Sequence, residues 1–416
     1  YGVNFMRKMK DSGVEWIGHI PENWELIQTK RHFLNIKRVV GEAVDEYERL
    51  ALTMHGVIKR SKEDSDGLQP EKFEGYQILK TNELVFKLID LENVKTSRVG
   101  LSPYTGLVSP AYIVLSNSYD DNRFFYYWFL FMYYNEIFNH LGGDGVRSSL
   151  NAKDLLALPI PNINVNLQKR IADYLDDKCS KIDALIEKQQ IAIEKLKEYK
   201  LSVITEAVAP KSDWKAGHLG YIASFKNGLN YNGASEKKEI KFLGVGDFKQ
   251  HFILNREDMF STLKFSGDMP EDLLLKNGDI VFVRSNGSKE LVGRSVLIDN
   301  VDFPLTYSGF CIRMRNLRQN LVINEFLMYC FWSNDFRQNL NRDSRGSNIN
   351  NLNQELLSKL WISFPDMDEQ KRIVNTLNGK CVEIENTISK KEKLITKLIE
   401  YKKSLIYEVV TGKREV

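Results

Sequence analysis

Apolar positions recur with a 4-3 spacing in two stretches of the chain. In Gln168–Val208 they fall at Leu175, Cys179, Ile182, Ile186, Ile193, Leu196, Val203 and Ala207. In Gln370–Val410 they fall at Leu377, Cys381, Ile384, Ile388, Ile395, Leu398, Leu405 and Val409. This spacing is a coiled-coil seam. Neither stretch contains Pro, the only Gly is Gly379, and Lys, Glu, Leu and Ile dominate. Both therefore predict helices, ended by Pro210 and Gly412. About 40 residues at 1.5 Å each make a rod of about 60 Å. Polar residues interrupt the seams at matching places, Gln189 with Lys391 and Lys200 with Lys402. Such residues cost stability and fix register. Cys179 and Cys381 read as small apolar seam residues.

The two stretches align without a gap at an offset of 202, with 20 of 41 positions identical. The segments between them correspond more loosely. Pro21-x-x-Trp24 answers to Pro210-x-x-x-Trp214, Asn82–Phe86 to Gly278–Phe282, and Ser109–Leu115 to Ser308–Met314. Each segment then reaches an aromatic helix, Asn122–Leu141 or Asn324–Leu340, a polar loop with Arg147 or Arg345, and Pro161 or Pro365. Short β runs between turn signals make each globule mixed α+β. The expected order is an N-terminal extension (1–21), a globule (22–165), a rod (166–209), a second globule (210–367) and a second rod (368–416). Two similar halves pack about a pseudo-twofold axis. The rods are then expected to pair antiparallel, with Ile182, Ile186, Ile193 and Leu196 on one seam and Ile384, Ile388, Ile395 and Leu398 on the other. The aromatics of Phe124–Tyr134, at helical spacing, read as core.

Composition narrows the class. With 416 residues, 43% apolar and 27% charged, the chain is globular and long enough for several cores. Lys and Arg total 58 against 55 acids, a net charge of +3, too small a surplus to argue for nucleic acid by itself. No run of 18 apolar residues and no apolar leader are present, so no membrane role is expected. The four cysteines have no CxxC spacing. Free thiols in the cytoplasm are expected, with no metal and no cofactor.

Local clusters carry the argument for DNA. His55–Lys62 is a glycine turn followed by Lys59, Arg60 and Lys62. Arg284, Ser285, Asn286, Ser288 and Lys289 surround Gly287, and Arg294 follows closely. Asp343–Asn348 holds Arg345 and Asn348, and the first globule has Arg147 in the matching loop. Arg pairs with guanine and Asn with adenine in the major groove, while Ser and Lys suit phosphates. Lys59–Lys62 and Arg284–Arg294 are expected to occupy one DNA-facing side, at equivalent positions in the two globules. A twofold layout with a 60 Å ruler matches duplex grooves about 34 Å apart. The same layout also fits a coiled-coil adaptor that tethers two proteins without reading DNA.

No catalytic constellation holds. The Asp/Asn-Pro-Pro-Tyr/Phe loop of a base-flipping methyltransferase is absent. So is the GxxxxGK[ST] phosphate loop. Pro365-Asp366 with Glu369-Gln-Lys371 mimics a nuclease signature, but Asp368 and Glu369 read as acids favoured at a helix N-terminus.

The order of globules and rods, the opening Met9–Gly18 with Pro21-x-x-Trp24, the QKRI starts of both rods, Arg284–Arg294 and the LPIP segment Leu158–Pro161 resemble the specificity subunits of type I restriction–modification systems. The resemblance runs from about Met9 to Arg414; residues 1–8 lie outside it. It implies two target recognition domains that read a bipartite site in double-stranded DNA, joined by an antiparallel coiled coil that sets the spacer. It further implies two DNA-methyltransferase (modification) subunits, a translocating restriction subunit, and no catalytic centre in the chain itself.

Overall fold

A computed structural model describes residues 7–64, 72–89, 91, 99–117, 119–141, 149–230, 238–248, 251–265, 268–285, 291–343 and 352–416, the last three residues before 344 by their backbone alone. The chain divides into two compact units, Tyr1–Gln189 with Lys393–Val416, and Gln190–Glu392. Each holds one globule and one half of each rod.

The rods are single helices, Val165–Ala207 and Met367–Val410. In the first unit, Leu175, Cys179 and Ile182 share a core with Leu405, Ile406, Val409 and Val410. In the second, Ile204 and Val208 share one with Val374, Leu377 and Cys381. The seam interruptions find partners. Lys402 Nζ lies 2.7 Å from Asp183, and Lys200 Nζ lies 2.5 Å from Glu385. Within the second unit Lys200 pairs with Glu385 and Lys211 with Glu369, and within the first Arg170 donates to the Val416 carbonyl and Lys402 pairs with Asp183, so in each unit the two rod segments run antiparallel. The two ion pairs are copies of each other under the 202-residue offset. Their acids are more than half exposed, so each contributes modestly. Lys402→Glu is expected to weaken the first unit, and Asp183→Lys added to it to restore the loss, with a coupling of about 0.5–1 kcal/mol. Strictly additive denaturation midpoints would remove the pair's role in register.

Both globules use one sheet order. The first has a sheet of Leu34–Asn35, Ile113–Ser116, Leu84–Phe86 and Val99–Leu101 in that spatial order. The second has Ala223–Asn227, Cys311–Asn316, Ile280–Val283, Ser295–Ile298 and Ile253–Leu254. A smaller sheet accompanies each. In the first globule Gly56–Arg60, Arg49–Thr53 and Gly106–Val108 are followed by Gln77–Leu79; in the second, Ser261–Phe265, Lys238–Leu243 and Leu305–Tyr307 suffice. Two-stranded ribbons, Glu25–Gln28 with Pro159–Asn162 and Lys215–His218 with Trp361–Phe364, lead into the rods.

The aromatic helices are core. Phe124, Phe125, Trp128, Phe129 and Phe131 are buried, as are Phe326, Leu327, Met328 and Phe331. Both helices are shorter than their apolar pattern implies. The first ends at Tyr134, where Glu136 turns left-handed at φ 55°. The second ends at Trp332, because Ser333 Oγ accepts from the Phe336 amide and starts a new helix, Asn334–Asp343.

The structural repeat reaches past the rods. Gln168 and Gln370, the first residues of the QKRI motifs, are fully buried. Gln168 accepts from the Asp121 amide at 2.9 Å and donates to the Ile163 carbonyl and to Asp120. Gln370 accepts from the Ile323 amide at 3.0 Å and donates to the Pro365 and Leu321 carbonyls. Each glutamine thus ties the rod's first turn to the start of an aromatic helix, which is why the motif opens both rods. Burial pushes Asp120 up, but hydrogen bonds from Asn117, Gln168 and His32 outweigh it and hold the carboxyl below its usual range.

A second duplicated device precedes the central strands. Asn82 and Gly278 both adopt positive φ, 65° and 89°. The next residues, Glu83 and Asp279, are buried carboxylates. Glu83 accepts from the Lys80 amide and from both Arg38 Nη atoms at 2.8–2.9 Å. Asp279 accepts from the Lys276 amide and from Arg315 Nε and Nη2, all at 2.7 Å. The arginines come from unrelated positions, so the device recurs while its sequence does not.

All four cysteines are buried and free. Burial pushes the Cys179 thiol up to about 11 and the Cys311 thiol up to about 12, which suits packing rather than nucleophilic chemistry. Among the described residues no cluster has metal-ligand character, and no helix is long and apolar enough to cross a membrane.

Candidate nucleic-acid interface

The second globule gathers loops at one edge of its large sheet. The buried strand Ile280–Val283 delivers Arg284 at its end. The Arg284 amide donates to the Phe310 carbonyl at 2.7 Å, its Nη1 donates to the Gly309 carbonyl at 3.3 Å, and its own carbonyl accepts from the Leu352 amide at 2.8 Å. The Gly309 amide donates to the Leu229 carbonyl at 2.7 Å. Four chain segments, around 229, 284, 309 and 352, therefore meet. Their glycines permit the approach: a Cβ at Gly309 would stand 1.8 Å from Asn230 Oδ1, and one at Gly228 2.3 Å from the Ser308 carbonyl.

Of the residues expected from the sequence, Arg284 and Ser285 lie here, half-buried. Asn286, Ser288 and Lys289 lie outside the described residues, as do Arg345, Asn348 and Arg147. The amide of Leu352, just past the Arg345 loop, is tied to Arg284. Arg294 is half-buried beside the Val283 amide, which donates to its carbonyl at 2.8 Å. It also lines a cleft of about 780 Å³ with Arg337, Lys197, Lys200 and Trp332.

The cationic cluster of the first globule sits elsewhere. Lys59 and Arg60 are on the outer strand of the small sheet, Gly56–Arg60, whose counterpart in the second globule is Ser261–Phe265. The positional counterpart of Arg284 is Leu88, whose carbonyl accepts from the Leu150 amide as that of Arg284 accepts from Leu352. The expected equivalence of Lys59–Lys62 with Arg284–Arg294 is thus corrected: the glycine turn with its cations opens an outer strand of the small sheet, whereas Arg284 ends a central strand of the large one. The cluster's charges are engaged locally. Lys59 Nζ lies 2.5 Å from Glu48 and over the Tyr104 ring, and its hydrogen bond to Glu48 raises its pKa. Arg60 pairs with Asp64 at 2.7 Å, and Lys62 donates to the Val44 carbonyl at 2.7 Å.

On the rods, Ile182, Ile193 and Ile384 are buried, while Ile186, Leu196, Ile388, Ile395 and Leu398 are half-buried. Asp366 caps the second rod by accepting from the Glu369 amide at 2.8 Å, and Glu369 pairs with Lys211 at 2.9 Å. The apparent nuclease signature is therefore a helix start. Sequence reasoning missed Asn230, Ser308 and Phe310 at the loop junction. The match of Ser308–Met314 to Ser109–Leu115 was the available signal.

The model of the type I restriction modification DNA specificity domain matches residues 211–394. The chain is 29% identical over 262 residues to the StySPI specificity subunit of Salmonella potsdam, covering 58% of this chain and 54% of that one. It is 27% identical over 135 residues to the EcoKI specificity subunit of Escherichia coli, covering 32% and 28%. It is 22% identical over 279 residues to the MjaVIII specificity subunit of Methanocaldococcus jannaschii, covering 63% of each. The chain spans about half the length of the curated relatives it matches. A chain solved in work on complex assembly and conformational transition of the type I R-M system shares the fold, with a TM-score of 0.68 at 11% identity over 94% of this chain and 98% of that one. The specificity-domain model matches the second half, and the same sheets, aromatic helix and rod recur in the first, so both halves of the chain are similar to the specificity subunits of type I restriction–modification systems.

Proposed function

We propose that the chain is the DNA-reading subunit of a type I restriction–modification complex and carries no catalytic centre of its own. Residues 22–165 and 210–367 act as two target recognition domains, each reading one half of a bipartite site in double-stranded DNA. The rods (166–209 and 368–416) set the spacer between the half-sites. Two copies of a modification subunit, a DNA methyltransferase, dock on the rods and adjoining globule faces, and a translocating restriction subunit completes the complex in the cytoplasm. The observation that carries this reading is the duplication of one globule and one rod, with the same sheet order and the same buried glutamine anchor in both copies. A two-part reader needs two similar heads, and a single-site enzyme does not.

Within this reading, Arg284 reads a base edge from a stiff strand end, and Ser285, Asn286, Ser288, Lys289, Arg345, Asn348 and, in the first globule, Arg147 are further DNA contacts. Lys59, Arg60, Lys62 and Arg294 supply phosphate contacts. Arg284→Ala is expected to cost about 1–3 kcal/mol of binding and relax only the half-site of the second globule. The check is binding of the assembled complex to duplexes altered in one half-site at a time. Intact preference at both half-sites would reduce Arg284 to an ordinary turn residue. Binding that falls steeply with salt separates this role from a protein-tethering adaptor, which needs no DNA.

A further inference from the structure

Phe310 is a large apolar side chain left 60% exposed at the junction of the four segments. Isolated exposed apolar residues are common and need no explanation. This one differs in how firmly its backbone is held. The Phe310 carbonyl accepts from the Arg284 amide at 2.7 Å and from the Ser285 amide at 3.4 Å, and its own amide donates to Ser308 Oγ at 3.2 Å. The Cys311 amide closes the turn on the Ser308 carbonyl at 2.8 Å. Gly309, just before it, is pinned to Leu229 and leaves no room for a side chain. The turn is thus fixed between two buried strands, Leu305–Tyr307 and Cys311–Asn316, with Phe310 directly beside Arg284.

We propose that Phe310 is a specificity-determining residue that packs on the 5-methyl group of a thymine in the major groove, next to the base whose edge Arg284 reads. The inference rests on the DNA-reading role proposed above. A guanidinium and a phenyl ring on adjacent fixed backbones match adjacent base pairs, one presenting acceptors and the other a methyl group. Apolar contact is the only way a phenyl side chain distinguishes a base edge, because it has no donor or acceptor. The corresponding residue of the first globule is Ala111, by the alignment of Ser109–Leu115 with Ser308–Met314. The contact therefore belongs to the second half-site alone.

The test is selection from randomised duplex DNA by the full chain assembled with its modification subunits, using wild type, Phe310→Ala and Phe310→Leu. The wild type is expected to enrich thymine at one position of the second half-site. Replacing that thymine by deoxyuridine should weaken wild-type binding about four-fold, the worth of one buried methyl group. Phe310→Ala should lose the preference and become indifferent to deoxyuridine, while Phe310→Leu keeps most of it. The side chain is exposed, so folding of the alanine variant is not at risk. Phe310→Ala selecting the wild-type sequence with undiminished thymine preference overturns the assignment, as does a change confined to the first half-site. If the wild-type complex selects no bipartite sequence, both this assignment and the DNA-reading role fall.

Discussion

Asp279→Ala is expected to destabilise the second unit by about 3–5 kcal/mol, the usual cost of removing one partner from a buried ion pair. The carboxylate is 1% exposed and accepts three hydrogen bonds, two from Arg315 and one from the Lys276 amide. Its loss leaves the half-buried guanidinium of Arg315 without its counter-charge. It also frees the left-handed turn at Gly278 that aims the central strand, and with it Arg284, at the loop junction. Denaturant unfolding of wild type and variant measures the change in midpoint. The same substitution at Asp268, exposed and paired with Lys238, should stay within about 0.5 kcal/mol. Equal effects at the two sites would show that the Arg315 pair is not a structural keystone.

Ile182→Asp is expected to cost the first unit about 4–6 kcal/mol, because it removes a buried aliphatic group and places a carboxyl in the seam without a partner. Ile182 shares its core with Leu405, Ile406 and Val409 of the other rod. Leu185→Asp changes the same helix by the same chemistry on a side chain that is 48% exposed, and should be nearly neutral. Circular dichroism through a denaturant series compares them. A large loss at Leu185 with little at Ile182 would place the seam on the wrong face.

The rods were legible in the sequence because their signal is local and periodic. A 4-3 spacing over 40 residues admits one explanation, and a gapless second copy repeats it. The partners of the seam lysines, Asp183 and Glu385, were not legible, since the pairing joins residues 219 and 185 positions apart. The globules were legible as repeats of turn, strand and aromatic helix. Their sheet order was not, because strands of two to six residues fix neither partner nor register. That is why Lys59 and Arg284 looked equivalent: both belong to cationic clusters with a glycine, but Lys59 lies in an outer strand and Arg284 follows a buried central strand. Phe310 escaped notice for a related reason. Among so many core aromatics, only the packed structure shows that this one is held outside.

The central claim is that this chain chooses the DNA sequence on which its complex acts. Mapping methylated adenines in the DNA of cells carrying the chain with its modification subunit tests it most directly. The expected result is one motif of two short half-sites separated by a fixed gap, absent when the chain is deleted and altered in one half-site when the globule spanning 210–367 is exchanged for that of a relative. A methylation pattern that survives deletion of the chain unchanged would contradict the account.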